Sequence, residues 1–220
     1  EMVPAFEAMG HDCQIFETPE EAKGPVLLAT RIEDDTFPTV LGYGHGDVVR
    51  GLEDQWYEGL NPWVTTERGD KLYGRGTADN KAQHTANMIA IAQVLEVRGK
   101  LGFNSKFMIE MGEENGSPGL GQIIEANLEA FSANVFIASD GPRVEPEQPT
   151  IFLGARGCCN FDLVLEMREG GHHSGNWGGL LANPGIILAH ALGSIISQSG
   201  QILVKDWLPP PISNSVREAL

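Results

Sequence analysis

Apolar residues along the chain fall into short runs that mostly alternate between strand-like and helix-like patterns. Residues 2 to 9 read as the end of a helix, with Gly10 at a plausible closing position. Val26–Arg31 and Thr39–Tyr43 are compact apolar runs with β-branched members, bounded by Gly, Pro and Asp, which predicts two buried strands. Residues 50 to 76 hold six scattered Gly and Pro positions with little periodicity and read as a long loop. Met88, Ile91, Ala92 and Leu95 then repeat at helical spacing, and Gly99 can end that helix. A strand at Lys106–Met111, a Gly/Pro turn, a helix near 119–130 and a strand at Val135–Ala138 follow. This alternation predicts an α/β fold, a mainly parallel sheet with flanking helices.

Past Pro149 the texture changes. Ile151–Leu153 and the alternating Phe161–Leu165 suggest strands, and an apolar helix is expected near Pro184–Ile196. A boundary is placed near Gly154–Gly157. It divides residues 1–154, the α/β part, from 155–220, the beginning of a smaller α+β part.

The 220 residues suit one full domain or two small ones, and an apolar content of 41% is ordinary for a globular protein. Thirty acidic against fifteen basic residues leave a net charge of −15. With no basic cluster to offset it, nucleic acid and anionic membranes make poor partners. No apolar stretch approaches a membrane span. Cys13, Cys158 and Cys159 cannot form a disulfide framework and lack metal-site spacing, so buried thiols in a reducing compartment are expected. With no basic-then-apolar leader after Glu1, the expected location is cytoplasmic.

The chemistry lies at the strand ends. His45 and Asp47, Asp79, Glu113 and Glu114, and Asp140 all stand at or just beyond the carboxyl ends of successive elements. In an open α/β sheet such positions converge on one crevice. Singly, each has an ordinary reading as a loop histidine, a solvated carboxylate or a turn residue. Their joint placement points to a cation, because clustered carboxylates repel one another unless neutralised. Imidazole plus oxygen ligands suits zinc, cobalt or manganese, with donors enough for two ions. Two decoys fall away. Gly42-Tyr-Gly-His-Gly-Asp47 lacks the last glycine of a dinucleotide turn. His172-His-Ser174 lacks a G-x-S-x-G elbow.

The segments Gly44-His-Gly-Asp-Val-Val49, Tyr73-Gly-Arg-Gly-Thr-Ala-Asp-Asn-Lys81, Gly112-Glu-Glu-Asn-Gly-Ser117, Ser139-Asp-Gly141, Gly154-Ala-Arg-Gly157 and His173-Ser-Gly-Asn-Trp-Gly-Gly179 occur in this order. The series resembles the metal-dependent M20 peptidases and amidohydrolases, a family of dipeptidases, aminoacylases and deacylases. The resemblance implies a dinuclear metallohydrolase of peptide or N-acyl amide bonds, with zinc as the first choice of metal and cobalt or manganese as alternatives. His45 and Asp140 would bind one ion, Asp79 would bridge both, and Glu114 would hold the second. Asp47 would orient His45, and Glu113 would be the general base acting on a metal-bridging hydroxide. His173 would stabilise the oxyanion across a homodimer interface, while His172 would be a bystander.

Nothing after His190 supplies the family's late metal-ligating histidine, so the chain is expected to be an internal slice of an enzyme about twice as long. The rival expectation is a non-catalytic, metal-binding or dimer-forming truncated homologue. Retention of Glu113 favours the enzyme.

Overall fold

The computed structural model describes residues 2–18, 24–141, 145, 147–152, 157–158 and 160–219. It divides into two compact units, Glu1–Ile151 and Phe152–Leu220. The expected boundary near Gly154–Gly157 lies mostly outside the described residues.

The first unit runs α1 (Met2–Ala8), β1 (Asp12–Phe16), β2 (Val26–Arg31), β3 (Thr39–His45), β4 (Thr66–Arg68), β5 (Lys71–Tyr73), α2 (Lys81–Arg98), β6 (Asn104–Glu110), α3 (Leu120–Ala126), α4 (Leu128–Phe131) and β7 (Val135–Ala138). Five strands form one sheet in the order β1-β2-β6-β3-β7. The β6/β3 and β3/β7 pairings are parallel, whereas β2 runs antiparallel to both neighbours. Four of the five strands therefore point the same way, as the β–α–β alternation predicts.

Strand periodicity sorts the core onto two faces. Leu27, Ala29, Phe107 and Ile109 pack with Phe6 of α1 and Met88 of α2. Val26, Leu28, Leu41 and Met108 pack with Ile123 of α3 and Phe131 of α4. Because β2 is covered on both faces, it reads as an unbroken apolar run instead of an alternating one. Gly99 ends α2 in the left-handed region at φ 69°, its N–H bonding the Leu95 carbonyl at 2.8 Å. The helix expected near 119–130 is broken at Asn127, whose φ of −134° is not helical.

The expected long loop over 50–76 contains the small β4–β5 hairpin, turned at Gly69 with φ +65°. The strand β1 was also not anticipated. It pairs with β2 from Asp12↔Thr30 to Phe16↔Val26.

The second unit contains α5 (Ser174–Trp177), α6 (Pro184–Ile195) and α7 (Asn214–Ala219). Asn183 caps α6 by accepting the Gly185 N–H at 2.8 Å, with Pro184 in the first turn. Phe161 meets the edge of Trp207 at 5.8 Å between ring centroids. The strand expected at Phe161–Leu165 is not formed, and neither Ile151 nor Phe152 is in a strand. No strand among the described residues lies alongside to complete a ladder, and Val164 is largely solvent-exposed. Leu153 lies outside the described residues.

The thiols also depart from expectation. Cys13 is half-buried and Cys158 exposed, both free, because nothing among the described residues packs over the segment around Cys158. Cys159 is not described. Among the described residues no helix is long and apolar enough to cross a membrane.

Candidate metal centre

His45 is the last residue of β3 and is fully buried. Directly after it, the Gly46 N–H bonds the Glu110 carbonyl at 2.8 Å, so β3 and β6 stay joined to their ends. Three glycines, at 42, 44 and 46, share the other face of this segment. A side chain at Gly44 would meet His84 Nδ1 at 2.6 Å and Asn80 Oδ1 at 2.8 Å, so only glycine lets α2 approach this closely.

Asp79 stands just before α2, and Asp140 two residues beyond β7. Oxygens from these two carboxylates and a ring nitrogen of His45 all lie within 4.8 Å of one another, a group able to hold a metal ion. His45 Nε2 is 3.0 Å from Asp79 Oδ1, 3.6 Å from Asp140 Oδ2 and 3.7 Å from Glu113 Oε2. The opposite ring nitrogen, Nδ1, lies 3.2 Å from the Asp47 carbonyl oxygen. A carbonyl can only accept, so the proton belongs on Nδ1 and the Nε2 lone pair faces the carboxylates.

A lone pair directed at three carboxylate groups calls for a cation between them. Burial pushes the His45 imidazole down, but Asp79, Glu113, the Asp47 carbonyl and Asp140 together outweigh it and hold the ring above its ordinary range. Burial raises the Glu113 carboxyl, with Asp140, Glu114 and Asp79 adding to the rise and His45 opposing it. A mixed imidazole and carboxylate donor set at these separations fits zinc, cobalt or manganese.

Asp47 ties the centre to the turn that follows β6. Its two carboxylate oxygens accept the N–H groups of Glu113 and Glu114, at 3.2 and 3.1 Å. Glu113 therefore reaches His45 while Glu114 sits outside that group, its Oε1 accepting the Val49 N–H at 3.3 Å. In the second unit, His173 is exposed and caps α5, its Nδ1 accepting the Gly175 N–H at 3.1 Å.

Sequence reasoning missed Asn80. Asn80 is fully buried. Its Oδ1 accepts the His45 N–H at 3.0 Å and contacts His84 Nδ1 at 3.2 Å, while its Nδ2 donates to the Ser139 carbonyl at 2.6 Å. Because β7 ends at Ala138, the carboxamide supplies the next rung between β3 and the Ser139 segment. It thereby ties the backbone at His45 to the segment that leads into Asp140. An Asn directly after Asp79, a residue of the candidate group, was the available signal.

The profile of Peptidase family M20/M25/M40 matches residues 41–204, and the chain belongs to this family. It is 35% identical over 196 residues to the Beta-Ala-His dipeptidase of Rattus norvegicus, covering 88% of this chain and 38% of the relative. It is 30% identical over 201 residues to the cysteinylglycine-S-conjugate dipeptidase of Corynebacterium striatum, covering 91% and 43%. Among solved structures, an M20 family metallo-carboxypeptidase from Sulfolobus solfataricus superposes with a TM-score of 0.81 at 26% identity, over 99% of this chain and 49% of that one. The chain thus spans less than half the length of these relatives.

Proposed function

We propose that this chain carries the metal centre of a metallohydrolase that cleaves small peptides, dipeptides first, with N-acyl amino acids as the second substrate class. The convergence of His45, Asp79 and Asp140 beside Glu113 is the observation that supports this reading most strongly. Similarity to two dipeptidases favours the peptide over the N-acyl substrate.

In this reading His45 and Asp140 would hold one divalent ion, zinc in the first instance, Asp79 would serve both it and a second ion, and Glu114 would serve the second. When bound, the cations would polarise the scissile carbonyl and acidify water. The chain's own residues do the rest. Asp47 fixes the His45 ring with Nε2 facing inward, through its carbonyl at Nδ1, and orients the backbone of the Glu113 turn. Glu113 takes the proton from the attacking water and passes it to the leaving amine. Its raised affinity for protons suits a group that must hold one for part of the cycle. His173 steadies the oxyanion from the 155–220 domain, which we assign to homodimer formation, and residues 1–154 form the catalytic domain. The free thiols at Cys13 and Cys158 favour a reducing, cytoplasmic setting.

The test is Glu113→Gln in the metal-loaded protein, assayed on β-Ala-His, other dipeptides and N-acyl amino acids. We expect kcat to fall about 10²–10⁴-fold with metal content unchanged. Loss of metal with the proton acceptor would show instead that Glu113 is a ligand. A protein that binds metal stoichiometrically yet turns over none of these substrates would support the alternative, a non-catalytic metal-binding homologue.

A further inference from the structure

We propose that Glu110 is a positioning residue for Glu113, acting by clamping the hydroxyls of Tyr43 and Ser117 on one carboxylate oxygen. This inference rests on the reading of Glu113 as the proton acceptor.

Glu110 closes β6 and is only 2% exposed, although among the described residues neither the metal group nor any ion pair uses it. Its Oε1 accepts the Tyr43 hydroxyl at 2.7 Å and the Ser117 hydroxyl at 2.9 Å. Its backbone carbonyl accepts the Gly46 N–H. One residue therefore ties together β3 two residues before His45, the chain just after His45, and the far end of the turn that carries Glu113.

That turn needs holding. Ser117 lies at φ +51°, in the left-handed region that L residues with a side chain rarely adopt. Such a conformation persists only where its surroundings over-determine it. Here the Ser117 N–H bonds the Gly112 carbonyl at 2.9 Å, and its hydroxyl is anchored on Glu110. The same turn is closed by Asn115 N–H to Gly112 and Gly116 N–H to Glu113. Asp47 grips the front of the turn through the Glu113 and Glu114 amides, and Glu110 grips the back through Ser117. With both ends fixed, the backbone that carries Glu113 is held where its carboxylate lies 3.7 Å from His45 Nε2. Releasing the back leaves Glu113 in place as a residue but free to wander from its productive position. A displacement of about 1 Å can cost about 100-fold in rate.

The geometry separates positioning from charge. Glutamine at 110 keeps an oxygen that can accept both hydroxyls, whereas alanine keeps none. The experiment compares Glu110→Gln, Glu110→Ala, Ser117→Ala and the Glu110→Ala/Ser117→Ala double variant in the zinc- or cobalt-loaded protein. Three readouts are taken: kcat and KM on β-Ala-His, the visible spectrum of bound cobalt, and hydrogen exchange of residues 112–117. The expected result is a 10- to 100-fold fall in kcat for Glu110→Ala and Ser117→Ala with KM and the cobalt spectrum little changed, and faster exchange confined to the turn. The double variant should be no worse than Glu110→Ala, as for two residues of one linkage. Glu110→Gln should restore kcat to within about threefold of wild type.

Unchanged exchange in Glu110→Ala, or additive losses in the double variant, would overturn the proposal. So would an equal loss in Glu110→Gln, which would mean that charge matters and not the clamp. A wild-type protein that binds cobalt but hydrolyses nothing would overturn the hydrolase reading and the catalytic part of the proposal. The exchange data would then still decide whether Glu110 holds the turn.

Discussion

Replacing Asn80 with alanine should both destabilise the fold and loosen the metal centre, in amounts that follow from its bonds. The carboxamide satisfies two main-chain groups, the buried His45 N–H and the part-buried Ser139 carbonyl. No strand residue can take over either bond, since β7 has already ended and the His45 N–H points away from β6. The buried His45 N–H left without a partner costs about 1–3 kcal/mol, and the Ser139 carbonyl, which water can reach, adds at most about 1 kcal/mol, so the pair should cost about 1–4 kcal/mol. With a urea m-value of about 2 kcal/mol/M, the unfolding midpoint of the metal-free protein should fall by about 0.5–2 M at unchanged slope. The same change frees the loops of Asp79 and Asp140 relative to His45. Residues that orient ligands without touching the ion typically contribute about 10- to 100-fold in affinity, and a loss in that range is expected for zinc by calorimetry. A midpoint shift equivalent to less than about 0.5 kcal/mol, or unaltered zinc affinity, would refute the idea that Asn80 acts as a rung between the strand ends.

Two other perturbations probe the scaffold. His11 is buried against Phe6 and Phe107, and burial followed by the Arg31 charge lowers its pKa to about 4. The unfolded chain therefore takes up this proton first. The stabilisation is complete above about pH 6.5 and drains away as pH falls through 4, reaching about 3 kcal/mol. The stability difference between wild type and His11→Gln should move by that amount across this range, and a flat difference would contradict it. Gly44→Ala would place a methyl group 2.6–2.8 Å from His84 and Asn80, and should cost about 1–3 kcal/mol by thermal or urea unfolding. A neutral outcome would mean that α2 can move away freely.

Much of this architecture is written in local pattern, and what is not has identifiable causes. His45, Asp79 and Asp140 could be found because each follows a readable strand or opens a readable helix, and the topology then brings them together. The β4–β5 hairpin was hidden because Thr66–Arg68 and Lys71–Tyr73 carry almost no apolar alternation, although the intervening Gly69-Asp70 is itself a hairpin signal. β1 was hidden because Asp12–Phe16 lies at the sheet edge and is mostly exposed, so burial imposes no pattern on it. At Phe161–Leu165 the opposite error arose, since alternation without a neighbouring strand does not make a ladder. Asn80 and Glu110 escaped notice because their importance is relational. Asn80 bridges residues 35 positions before it and 59 after it, and Glu110 joins residues 67 before and 7 after.

The most direct test of the metal centre is anomalous diffraction from crystals of the protein equilibrated with zinc or cobalt. An anomalous peak is expected about 2.0–2.2 Å from His45 Nε2 and from carboxylate oxygens of Asp79 and Asp140. The peak should disappear in His45→Ala. Metal bound elsewhere on the chain, or a peak that survives the loss of His45, would contradict this placement of the metal.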